Sequence, residues 1–235
     1  MALDREAARA PEPAGAALIK DALGEPSWPP IAALLIFMAL NITVRIYIPG
    51  ESVAHVPWLV PAIEALLLVV LLTSNPTGAA ERRRLHRISL AVVVLLVVAA
   101  LWATVILIHD LIEGVGVSQN PSELLASGGE VWLGNIFAFA MLYWLMDGGG
   151  PIARTRHPDP VDFAFTQHMS PELARPGWRP VFLDYLHLGF TNSTAFSPTD
   201  VMPLTLRAKY TMLVQSTVAL ALFGLVVARA VNAFT

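Results

Sequence analysis

Cysteine is absent from the 235 residues, which excludes disulfides, thiolate metal centres and thiol catalysis. Charge is scarce as well: Asp, Glu, Lys and Arg make up 14% of the chain, against roughly 25% in an average soluble domain. No cationic excess offsets that scarcity. Fifteen basic and 18 acidic side chains leave a formal charge of −3, so there is no electrostatic footprint for a nucleic-acid partner. A phosphate loop, a dinucleotide fingerprint and a G-x-S-x-G elbow are all missing, so the sequence gives an enzyme no positive support and implies no cofactor. Residues 1–27 are polar, of mixed charge, and no small-residue cleavage site follows the first apolar run. They are expected to form a retained polar tail.

Apolar sequence is what the chain has in quantity, at 55% hydrophobic residues and a mean hydropathy of +0.60. Five stretches stand out, at 29–48, 56–73, 88–108, 131–146 and 210–228, and only two charged side chains, Arg45 and Glu64, fall inside them. A bilayer core about 30 Å thick takes about 20 helical residues. The expectation is an all-α integral membrane helical bundle with five transmembrane helices, multi-pass in the plasma membrane. Loop charges orient it, because Lys and Arg stay cytoplasmic. Arg82, Arg83, Arg84 and Arg87 mark the second loop as internal, while the flanking loops carry Glu51 on one side and Asp110, Glu113, Glu123 and Glu130 on the other. The chain divides into a polar tail (1–27), a four-helix transmembrane region (28–147), a polar connecting loop (148–180) that opens on the hinge Gly148-Gly149-Gly150-Pro151, and a final hairpin (181–235).

That hairpin begins VFLDYLHLGFTNSTAF, half apolar but short for a span and interrupted by Asp184, His187 and Asn192. Ser197-Pro198-Thr199-Asp200 then stops any helix, Pro203 stops it again, and Thr205 is placed to cap the last span. A short helix, a polar break and a full helix form a re-entrant pattern, and irregular backbone at membrane depth survives only inside protein or along water. From Asp184-Tyr185-Leu186 to Val201-Met202-Pro203 and on into the last span, the chain resembles the pore module of the potassium-channel superfamily. The resemblance implies a pore helix, a filter, an inner helix and a tetramer around one axis, with Asp200 and Pro203 on the family's aspartate and proline. Ser197, Pro198 and Thr199 stand where that family has glycine-tyrosine-glycine. Proline fixes φ near −65° where the filter uses glycine's freedom, so a potassium-type filter is not carried over. Asp147-Gly-Gly-Gly, Pro176-Gly177-Trp178-Arg179-Pro180 and the stretch 190–203 also resemble an uncharacterised family of bacterial multi-pass membrane proteins.

The pore-lining candidates are Asn192, Ser193, Thr194, Ser197, Thr199 and Asp200, an acidic ring at Asp200 favouring monovalent cations. The competing reading makes 197–200 a plain polar turn. Glu64, beside Pro61 in the middle of a span, is an ionisable group that points either to proton or cation contact or to a structural partner such as Arg45. The expected function is a channel-like, self-associating protein of the lipid bilayer that passes cations. The alternatives are a non-conducting scaffold or accessory protein, and a proton-coupled carrier using Glu64.

Overall fold

The computed structural model describes residues 28–47, 59–73, 79–114, 121–156, 161–194 and 200–234. The tail 1–27, Ser197 and Thr199 lie outside the described residues, as does the side chain of Arg45. The fold is mostly helical. In order come α1 (Trp28–Tyr47), α2 (Leu59–Thr73), α3 (Ala79–Glu113), α4 (Pro121–Met146), a 3-10 turn (Asp147–Gly149), α5 (Pro151–Arg156), β1 (Phe163–Phe165), α6 (Thr166–Met169), a second 3-10 turn (Pro171–Leu173), α7 (Phe182–Ser193), β2 (Val201–Pro203) and α8 (Leu206–Phe234).

Among the described residues, three segments are long and apolar enough to cross a membrane, Ala80–Glu113, Ser122–Gly149 and Leu206–Arg229. The first two apolar stretches form the shorter apolar helices Trp28–Thr43 and Pro61–Val70. Both α3 and α4 extend beyond the expected 88–108 and 131–146, the second of which the sequence allows to reach toward Gly128: α4 begins at Pro121, where proline suits a first helical turn and Glu123 complements the helix N-terminus. The stretch read as a connecting loop is instead largely built of short elements. Within it Pro171–Leu173 forms a 3-10 turn, with no side-chain cap from Ser170.

Helix α4 is the hub, packed by α1, α3, α7 and α8. Helices in lipid gain nothing from hydrophobic burial against one another, so small residues that let backbones approach decide where they meet. Gly134 takes the ring of Phe37 from α1, and Gly128 takes Val226 from α8. Helix α8 presents Ala208, Met212, Gln215, Ala219, Leu222 and Val226 inward, a three-and-four spacing that makes one helical stripe, while Leu213, Leu220, Phe223 and Val227 are exposed.

The two ends of the bundle differ in charge. His86 of α3 lies against Gly150 just past α4, so the Arg82–Arg87 segment shares an end with Arg154 and Arg207. At the opposite end are Asp110 and Glu113 of α3 and Glu123 and Glu130 of α4, with Arg229 over Gly114. This segregation matches the sign alternation read from the loops.

Candidate functional site

The turn at the end of α4 is where the chain does its most demanding local work. Gly148, Gly149 and Gly150 have φ of 55°, 78° and 93°, the left-handed region that other residues enter at a cost of about 1–2 kcal/mol each. Three in succession turn the chain back so that Arg154 reaches the last carbonyls of α4. Its Nη1 donates to the carbonyls of Trp144 and Asp147 at 2.8 Å each, closing acceptors that a helix end leaves open. The hinge is therefore a bonded cap.

Two buried carboxylates extend that cap into a clasp. Asp147 accepts the Tyr185 hydroxyl at 2.5 Å, the Asp162 amide at 2.6 Å and the Phe163 amide at 3.2 Å. Asp162 accepts the Thr205 hydroxyl at 2.5 Å, Arg207 Nε and Nη2 at 2.6 Å each, and the Gly148 amide at 3.3 Å. Both aspartates are 0% exposed. The Arg154 guanidinium stacks over the Tyr185 ring at 5.0 Å. The clasp thus joins the end of α4, the start of β1, the second turn of α7 and the start of α8. All four carboxylate oxygens accept bonds within the chain, so the cluster positions elements and offers no oxygen to a ligand. Burial raises the Asp162 pKa, but Arg207, Thr205 and Gly148 outweigh it and hold the carboxyl below its usual range. Its contribution is present above the ordinary carboxylate range and is lost as pH falls through the lowered value.

What the clasp positions is the hairpin. Helix α7 is preceded by Val181, whose amide donates to the Asp184 carboxylate at 2.7 Å. It then runs antiparallel to α4. Phe182 meets Trp144, Gly189 lies 3.1 Å (from an added Cβ) from the Ile136 carbonyl, and Phe190 meets Trp132. By Asp200 the chain is back at the clasp: the Asp200 carbonyl accepts the Thr166 amide, and β2 pairs antiparallel with β1, Phe163 opposite Pro203 and Phe165 opposite Val201. Thr205 caps α8 through the Ala208 amide at 3.3 Å.

The candidate residues separate by direction. Asn192 and Ser193 point into the protomer and are buried. Asn192 Nδ2 donates to the Met212 carbonyl and to Gln215 Oε1, while Gln215 Nε2 donates to Ser193 Oγ and the Gly189 carbonyl. Tyr143 of α4 donates to Gln215 at 2.7 Å. Thr194 turns back on the Thr191 carbonyl. Asp200 is partly exposed and lies 3.3 Å from His187 Nε2, a pairing across the hairpin that the sequence, with its scattered histidines, did not suggest. Glu64 is 0% exposed and accepts Asn41 Nδ2 of α1 at 3.1 Å. Its partner from α1 in this bond is thus Asn41, one turn before Arg45.

Compared with protein-family models, curated proteins and solved structures, the chain matches none.

Proposed function

We propose that the chain is a five-span membrane protein in which α7 and the return to β2 form a re-entrant hairpin, and that several copies surround a cation path lined by that hairpin. One observation carries the reading. Helix α7 follows α4 only to the level of Trp132, and the chain has returned to the clasp by Asp200, ahead of the long apolar helix α8. A helix that goes half-way, followed by a return to the same end, is a re-entrant pattern, which the membrane tolerates where protein or water meets it. The pore-module resemblance of the sequence supplies the tetramer. Asp200, repeated around an axis, supplies an acidic ring that favours cations. The absence of a glycine filter makes the path hydrated and weakly selective.

Purified protein in liposomes should then release or take up monovalent cations, and Asp200→Asn should cut that flux several-fold while the melting midpoint holds. No flux from folded wild-type protein rejects conduction. In that event the scaffold reading stands, for which the inward commitment of Asn192 and Ser193 is the supporting observation. Uptake that depends on a pH gradient and is lost in Glu64→Gln would favour the carrier.

A further inference from the structure

We propose that the basic start of α3 is a binding site for the headgroup of an anionic phospholipid. Arg83, Arg84 and Arg87 are exposed, while His86 between them turns onto Gly150. Helical steps of 100° put these arginines on the face that continues through Ala91, Leu95, Val98, Trp102 and Val105, every one of them exposed. Residues 84 and 102 stand five turns apart, as do 87 and 105, about 27 Å along the axis. That length is close to the roughly 30 Å hydrocarbon core. The exposed strip is therefore cationic at one membrane boundary and apolar across the rest of the bilayer.

A phospholipid has the matching chemistry. Its phosphodiester takes forked guanidinium bonds, and its chains lie along Ile88, Leu95 and Val98, which are 41%, 47% and 55% exposed. An anionic lipid is preferred over a zwitterionic one because it brings no ammonium group toward the arginines. Glu81 is the only acidic residue of the segment 79–87. Free phosphate would satisfy the arginines but leave the apolar continuation unused. The inference rests on the membrane placement of α3 and not on conduction, so a failed flux assay leaves it standing.

The test uses full-length protein in nanodiscs with spin-labelled phosphatidylglycerol or phosphatidylcholine, reading the motionally restricted fraction of each. Wild type should prefer the anionic lipid several-fold, because arginines near the surface attract anionic headgroups. Arg84→Gln/Arg87→Gln should bring the preference close to one, whereas Arg175→Gln/Arg179→Gln, charge-matched and outside the strip, should keep it. Inorganic phosphate at constant ionic strength should not change it. No preference in wild type, equal loss in both double variants, or abolition by inorganic phosphate would each overturn the proposal.

Discussion

Alanine at Asp147 should destabilise the protein by about 4 kcal/mol, a larger effect than truncating Arg207 at the same clasp. The carboxylate is fully buried and accepts two backbone amides and one phenolic hydroxyl. Removing it strands all three donors, and an unsatisfied buried donor costs about 1–3 kcal/mol. For a chain of this size the midpoint should drop by about 10 °C. Asp147→Asn keeps an accepting oxygen and should recover part of the loss. Arg207→Ala should cost less, because its side chain is 59% exposed and water can enter to solvate Asp162 from that side. Thermal unfolding of detergent-solubilised variants gives the ranking, and a drop below about 2 °C for Asp147→Ala would contradict it.

Gln215→Leu is the second large effect, about 2 kcal/mol. Gln215 is 1% exposed and bonds to Tyr143, Asn192, Ser193 and the Gly189 carbonyl, so one side chain ties α8 to both α4 and α7. Interhelical hydrogen bonds in membrane proteins average about 0.6 kcal/mol each, and here four are lost together. With α7 held less firmly against α8, the proposed flux should fall although Gln215 faces no path. Tyr143→Phe alone should cost less than 1 kcal/mol, and in the double variant it should add little, because its bond is already gone. Additive losses in that cycle would mean the two side chains act independently.

The helices were legible because apolar runs are long and nearly free of charge, and the two ends because their loop charges alternate. The start of α4 was legible only as far as Gly128; the part from Pro121 to Ser127, with Glu123, read as loop but also allows a helix. The clasp was not legible. Asp147, Asp162, Tyr185 and Arg207 are separated by 15, 23 and 22 positions, and nothing in that spacing joins them. The available signal was Asp147 at the end of an apolar run, followed by three glycines, a sequence that reads as flexible until Arg154 is seen to fold onto it. Asn192 and Ser193 were found as polar residues in an apolar setting. Their direction could not be read, because helix periodicity gives the face only when a partner such as Gln215 is already placed. Glu64 was singled out by its depth, yet its partner Asn41 is uncharged and so drew no attention beside Arg45.

The hairpin's return to its starting side is the central claim, and the absence of native cysteine makes it directly testable. Single cysteines at Arg175, before α7, and at Met202, after it, are exposed positions on either side of the segment in question, with His109 at the opposite end of the bundle as reference. Labelling of intact cells with a membrane-impermeant maleimide should modify His109→Cys from outside and leave both Arg175→Cys and Met202→Cys unmodified until the cells are permeabilised. Modification of one of that pair from outside and not the other would mean that α7 crosses the membrane, and the re-entrant account would be wrong.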